Sequence, residues 1–242
     1  MATRVLNRPK RLRVLLALAL AAALAAAAGT AGIGRASAES PSCTLTAPAQ
    51  LTIDKPYQQF SVTRSCTGDA PPEITWTASA GTVLTSDAWF LQRTTGVGDV
   101  YSDDPMGTWT WKVTDPGDRP DVVFNEPVTD VRLKSVATGA GVWNAVDGTT
   151  KITFHVTRYN PATNTTIPWA GATGTLEFHT SPYRGEPPFT TGTALTANSN
   201  GDVVLTVKPT IDMVYRFAVA DAPTIFGSRT GNVLARGARI CC

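Results

Sequence analysis

Histidine is nearly absent from this chain of 242 residues, which has only His155 and His179. The sequence has no Cys-x-x-Cys pair, so the ligand spacing of a structural zinc site is missing. The Gly-x-Ser-x-Gly turn of serine hydrolases is missing as well. Strand alternation predicts that both histidines point outward into solvent, without the partner that general-base catalysis requires. We therefore predict no catalytic residues, no cofactor and no metal site.

The sequence also lacks a helical period, because no window after Ala38 keeps one for three turns. Apolar and polar residues alternate instead, and in residues 151–157 the side chains of Ile152, Phe154 and Val156 share one face. Similar runs occupy residues 59–63, 73–77, 107–113, 174–179, 202–207 and 215–219, with turn residues at 54–56, 68–69, 115–117, 147–148 and 198–201. This pattern predicts an all-β protein built from antiparallel sandwiches.

Long apolar runs are rare, and the single prominent one is near the start of the chain. It covers residues 14–28, follows a cationic stretch that begins at Arg4, and precedes small residues at 36–38. This three-part layout predicts a cleaved signal peptide over residues 1–38. A spanning helix requires about 20 apolar residues, so we expect no retained transmembrane helix.

Excess positive charge is confined to the predicted leader. Residues 1–38 contain six of the 21 Lys and Arg and none of the 19 Asp and Glu. The remainder therefore has 15 basic and 19 acidic residues, a net charge of about −4. Its longest basic grouping is a thin scatter of Arg229, Arg236 and Arg239, which argues against a nucleic-acid partner.

All four cysteines follow the predicted leader, so an oxidising exterior would favour disulfides. Cys43 and Cys66 flank the first two strand patterns and form the natural pair. Their closed loop is worth about 3 kcal/mol in the chain-entropy model. Cys241 and Cys242 are adjacent, so cross-links to other chains and long-range pairing with the first two both stay open.

Residues 115–127 are rich in Pro, Gly and Asp and are the best linker candidate. We therefore predict an N-terminal β-sandwich domain over residues 43–118 and a C-terminal one over residues 125–238.

Several motifs of the second part resemble immunoglobulin-like domains of secreted proteins from high-GC Gram-positive bacteria, over residues 150–233. The motifs are Arg158-Tyr159, Pro168-Trp169-Ala170-Gly171, residues 176–178, residues 196–201 and Tyr215-Arg216. In the first part, Gly107 before Trp109 and Trp111 is similar to the end of the sandwich that precedes such domains. The resemblance implies an immunoglobulin-like fold and places residues 160–168 as an arch between strands, but a shared fold implies no shared activity.

Carboxylates and aromatics supply the remaining candidate sites. Asp103, Asp104, Glu177 and Glu186 could provide a hydrolytic pair, and Asp115, Asp118 and Asp121 could add calcium ligands, although turns explain most of these residues. Trp89, Trp143 and Trp169 are the candidate ligand-facing aromatics.

These features predict a secreted, extracellular or cell-wall-associated binding module without catalytic activity. It would recognise an unknown protein or carbohydrate through loops or sheet edges. One alternative is a glycoside hydrolase or a carbohydrate-binding accessory protein. Another is a structural envelope protein linked to other chains through Cys241 or Cys242.

Overall fold

Strands and turns make up the chain in the computed structural model, which describes residues 42–66, 73–78, 83–85, 94–116, 120–180 and 187–237. The strands of the first part are β1 (Ser42–Cys43), β2 (Leu45–Thr46), β3 (Gln50–Ile53), β4 (Tyr57–Arg64), β5 (Glu73–Ala78), β6 (Val83–Thr85), β7 (Thr95–Tyr101), β8 (Gly107–Asp115), β9 (Val123–Phe124) and β10 (Val128–Leu133). Those of the second part are β11 (Ser135–Asn144), β12 (Thr149–Asn160), β13 (Thr165–Pro168), β14 (Thr173–Thr180), β15 (Thr190–Thr196), β16 (Asp202–Val207), β17 (Met213–Val219) and β18 (Val233–Ala235). Nothing in the described part is a helix with the length and hydropathy to cross a membrane.

Side-chain alternation is what directs each strand toward its core. On β12, the inward side chains of Ile152, Phe154 and Val156 are all fully buried, as predicted. On β8, Trp109 and Trp111 are also fully buried, which confirms that they share an inward face. The predicted strands all lie within observed ones.

The first sandwich consists of a three-stranded and a five-stranded sheet. One sheet has the order β2-β4-β7, and the other has the order β3-β10-β8-β5-β6. Their inner faces enclose a core that includes Phe60, Val62, Trp109, Trp111 and Val131. The two sheets thus pack face to face, as in immunoglobulin-like sandwiches.

The second sandwich repeats this arrangement. β12 pairs with β11 on one side and with β16 and β13 on the other, while the facing sheet has the order β15-β14-β17-β18. Stacked rings of Phe154 and Phe217, with centroids 5.8 Å apart, lie in its core. The predicted all-β, immunoglobulin-like class is therefore confirmed.

Two strand pairs are parallel, although the sequence predicted antiparallel sandwiches. β3 runs parallel to β10, with Ile53 opposite Leu133, and β1 runs parallel to β9. Both pairings join chain segments far apart in sequence, so hairpin reasoning could not predict them. β9 lies inside the predicted linker, and in that segment the side chain of Asn125 also bonds the backbone N–H and C=O of Leu45.

A disulfide joins Cys43 to Cys66, with their Cα atoms 5.4 Å apart. The pairing agrees with the sequence-based prediction. It ties the segment before β2 to the end of β4, next to the antiparallel pair of Leu45 and Arg64.

The end of β10 forms a junction with the second sandwich. Leu133 N donates to Thr224 O at 2.9 Å, and Phe226 N donates to Leu133 O at 3.0 Å. Arg132 forms ion pairs with Asp130 and Asp221, and its hydrogen bond with Asp130 is the main cause that raises the pKa of its guanidinium. Backbone bonds and charges thus connect β10 with the loop between β17 and β18.

Residues 157–168 form a tight hairpin, so the connecting arch that we expected over residues 160–168 is shorter than predicted. β13 pairs with the end of β12, with Asn160 opposite Thr165. Asn164 has a φ of 53°, a left-handed conformation that asparagine tolerates. The β-branched residues at 165–167 extend the sheet, which leaves only residues 161–164 for the turn.

Candidate functional site

An open cleft lies at one end of the second sandwich, with a volume of about 460 Å³. Its lining side chains come from the β11–β12 turn, the end of β16 and the end of β18, and include Trp143, Asp147, Lys208 and Arg236. Register places this end at Thr150 of β12, whereas the junction with the first sandwich lies at Tyr159. The cleft, hereafter the distal cleft, is therefore on the side of the sandwich away from the junction.

Two glycines precede Trp143 on the same face of β11. Gly139 and Gly141 face Val233 of β18 so closely that a Cβ atom would come within 2.7 Å and 2.8 Å of its methyl groups. The two sheets are therefore close together along this stretch. Trp143 continues the same alternation at the end of the strand, and its ring lies partly exposed at the mouth of the sandwich.

The turn between β11 and β12 forms the rim of the distal cleft. Asn144 Oδ1 accepts a hydrogen bond from Val146 N at 3.0 Å, and Asn144 Nδ2 donates to Asp147 Oδ2 at 2.6 Å. Gly148 has a φ of 63°, which a residue with a side chain adopts only with strain. Val146 is 93% exposed at the tip, so an apolar side chain projects into solvent beside the cleft.

Cations outnumber anions in the lining, with Lys208 and Arg236 against Asp147. A Cβ placed on Gly148 would be 3.9 Å from Trp143 Cη2 and 3.8 Å from Lys208 Cε, so the indole ring and the lysine chain border one surface. Within the described residues, neither Lys208 nor Arg236 makes an ion pair or hydrogen bond with another side chain. Both residues are exposed.

The three tryptophans singled out from the sequence have different environments. Trp143 lines the distal cleft. Trp169 is partly buried and packs against both hydrophobic cores, so packing is the role that the structure shows and a ligand-facing role stays a prediction. Trp89 lies outside the described residues.

The prediction of two solvent-facing histidines is wrong for His179. His155 is half-exposed and its Nδ1 lies 2.7 Å from Asp202 Oδ1. His179 is only 5% exposed, because the ring of Phe189 packs edge-on against it with centroids 4.3 Å apart. Alternation gave the correct face of β14, but a residue from outside the strand covers that face.

The candidate carboxylates are dispersed. Asp104 accepts a hydrogen bond from Tyr101 N at 2.8 Å, and burial raises the pKa of its carboxyl group. Glu177 forms ion pairs with Arg216 and Arg229 on the outer face of β14 and β17. Glu186 and Asp118 lie outside the described residues. Over the described ranges, no group of three or more His, Cys, Asp and Glu residues could hold a metal ion.

Sequence reasoning missed Lys208 and the cleft role of Arg236. Each follows the last residue of a strand, Val207 or Ala235, and this position is the only local signal. Their approach to Trp143 depends on which strand ends meet. Cys241 and Cys242 lie outside the described residues, so their proposed cross-links stay a prediction.

No protein-family model and no curated protein matches the chain. Among solved structures, the chain is similar to the D00-D0 domain of Intimin, with 14% identity, coverage of 79% of this chain and 98% of that chain, and a TM-score of 0.27. It is also similar to the D0-D1 domain of Intimin, with 12% identity, coverage of 80% and 97%, and a TM-score of 0.29. Similarity this low carries no argument about function. The resemblance to secreted proteins of high-GC Gram-positive bacteria stays a prediction.

Proposed function

We propose that this protein is an exported, noncatalytic binding module that recognises its ligand at the distal cleft. The observation that carries the proposal is the meeting of Trp143, Lys208 and Arg236 in one open cleft. Binding sites commonly combine an aromatic surface with a few well-placed polar groups, on loops held by a rigid scaffold.

Export is supported by two independent features. The first 38 residues have the layout of a cleavable signal peptide. The disulfide between Cys43 and Cys66 is of a kind that persists outside the reducing cytosol. The proposed location is therefore extracellular or at the cell surface, where the ligand is a protein or a carbohydrate.

The chain is proposed to contain two domains. Pairing of β10 with β3 and β8 supports a boundary at Lys134, immediately before β11 begins, rather than one at residues 118–125. In this arrangement the first domain would hold the second through the junction and leave the distal cleft open to the ligand.

The test is retention of the exported protein on the surface of the cells that produce it. We expect Trp143→Ala to reduce the retained fraction at least about fivefold, because a binding-site tryptophan commonly contributes 1 kcal/mol or more. The matched control is Tyr101→Ala, since Tyr101 is a half-exposed aromatic residue of the first sandwich. Equal loss in both variants, or turnover of a polysaccharide, peptide or ester by the purified protein, would overturn the proposal.

A further inference from the structure

We propose that the distal cleft binds an acidic saccharide, namely a sugar unit that carries a carboxylate. This inference rests on the proposed function, because it names the ligand class of the same site. It is carried by four side chains with complementary chemistry: the Trp143 ring, the Lys208 and Arg236 cations and the Asp147 carboxylate.

The aromatic surface suits the apolar face of a pyranose ring. Among the described residues, Trp143 is the only tryptophan that lines the cleft, and its six-membered ring borders the Lys208 side chain across Gly148. A ring placed on this surface would replace water on an aromatic face that packing leaves partly exposed. The open form of the cleft admits a unit within a chain as well as a chain end.

The two cations select a charged substituent. An arginine guanidinium binds a carboxylate through two parallel hydrogen bonds, and a lysine ammonium adds a compact positive charge. Neither Lys208 nor Arg236 is neutralised by another side chain in the described part of the molecule. Two cations against one anion favour an anionic ligand over a neutral one.

Asp147 adds a hydrogen-bond acceptor to the cationic cleft, and this acceptor favours a sugar acid over a simple anion. Its Oδ2 is occupied by the Asn144 amide at 2.6 Å, which holds the carboxylate in place. A hydroxyl group can donate to the remaining oxygen, whereas chloride, sulfate and phosphate diesters have no such donor. Hydroxyl groups and a carboxylate on one ring are the features of a uronic acid unit.

The experiment compares the acid and ester forms of one oligosaccharide. Exported full-length protein is titrated with trigalacturonic acid and with its fully methyl-esterified form, and the indole N–H resonance of Trp143, assigned with Trp143→Phe, reports on cleft occupancy. We expect the acid to shift this resonance and the ester to bind at least about tenfold more weakly, since one charge-assisted hydrogen bond is of that size.

Charge variants test whether Lys208 and Arg236 bind the carboxylate of the acid. Lys208→Gln and Arg236→Gln should each weaken binding of the acid about tenfold. The matched control is Lys151→Gln, which removes the same charge from an exposed position on β12 outside the cleft. This control should change affinity by less than about twofold, because Lys151 is not among the residues that line the cleft. Unchanged circular dichroism would establish that each variant is folded.

The possible failures separate the ligand class from the proposed function. Equal binding of acid and ester, with loss in Trp143→Ala, would reject the acidic saccharide but support a binding cleft. Tighter binding of trialanine with a free carboxylate would assign the site to a protein terminus and also overturn the inference. If neither saccharide binds, the inference fails, and retention on the producing cells alone decides the proposed function.

Discussion

At the scale of single residues, the hydroxyl of Thr129 connects three segments of the first sandwich. It accepts a hydrogen bond from Trp111 Nε1 at 2.8 Å and donates to Pro48 O at 2.6 Å, and the residue is fully buried. A buried polar atom that loses its partner costs more than the bond itself gains. This residue therefore has a structural role that its type alone does not indicate.

Thr129→Val should lower the free energy of unfolding by about 2–4 kcal/mol, because it removes the partner of one donor and one acceptor while preserving shape. Thr129→Ser is the control, since it keeps the hydroxyl and loses one methyl group, at a cost of about 1 kcal/mol. Urea unfolding of the two variants measures the difference. Similar losses would show that the hydroxyl contributes little.

The buried carboxyl group of Asp104 should make the stability of the protein depend on pH. Burial raises the pKa of its carboxyl group above the usual 3.8, so the folded protein holds this proton more tightly than the unfolded chain. Its contribution to stability is thus fully present below pH 3.8 and is lost as pH rises through the folded pKa.

Asp104→Asn keeps an oxygen for the Tyr101 N–H and removes the titration. We expect this variant to be more stable than the native protein at pH 7, with the advantage shrinking as pH falls through the folded pKa of Asp104 and levelling off below about pH 3.8. Thermal unfolding midpoints over this pH range provide the comparison. An advantage that is constant with pH would contradict the proposed cause.

At the scale of elements, glycine determines how closely β11 and β18 approach. A Cβ on Gly139 would lie 2.7 Å from Val233 Cγ2 and 3.0 Å from Phe154 Cδ1, both within the core. Gly139→Ala should therefore destabilise the protein by about 1–3 kcal/mol through overpacking.

Gly231→Ala is the control, because nothing lies within 4 Å of the added methyl group. The double variant Gly139→Ala with Val233→Ala should cost less than the sum of the two single changes, by at least about 0.5 kcal/mol, since both act on one contact. Additive costs in chemical denaturation would place the strain elsewhere.

Element positions were predictable because alternation and turn chemistry are local. The turns at residues 54–56, 147–148 and 198–201 connect observed strands, and Gly148 and Gly201 have positive φ angles. The burial of His179 was not predictable, because Phe189 lies outside its strand. The sequence likewise proposed both Trp143 and Trp169 as exposed side chains without distinguishing them, because burial depends on residues outside the local strand.

At the scale of the whole molecule, Trp169 links the two sandwiches, since it packs against both hydrophobic cores. Tyr159 and Ile225 of the second sandwich are also buried in the core of the first. Such shared packing couples the unfolding of the two halves.

Trp169→Ala should lower stability by about 3 kcal/mol and divide a single unfolding transition into two. Trp143→Ala is the matched control, because it removes the same side chain from the distal cleft and leaves the junction intact. Calorimetry and denaturation followed by circular dichroism record both effects. A single transition in Trp169→Ala, with stability unchanged, would show that the junction does not couple the sandwiches.

Local sequence patterns predicted seven of the strands, the turns between them, the all-β class and Cys43 with Cys66 as the natural disulfide pair. These follow from side-chain alternation and turn residues, which act over a few positions, and from a short loop between the two cysteines. The parallel pairing of β3 with β10 and the meeting of Lys208 and Arg236 with Trp143 became visible only in the folded molecule. Those outcomes depend on which distant strand ends lie together, and that is fixed by packing two sheets around a core rather than by any local pattern.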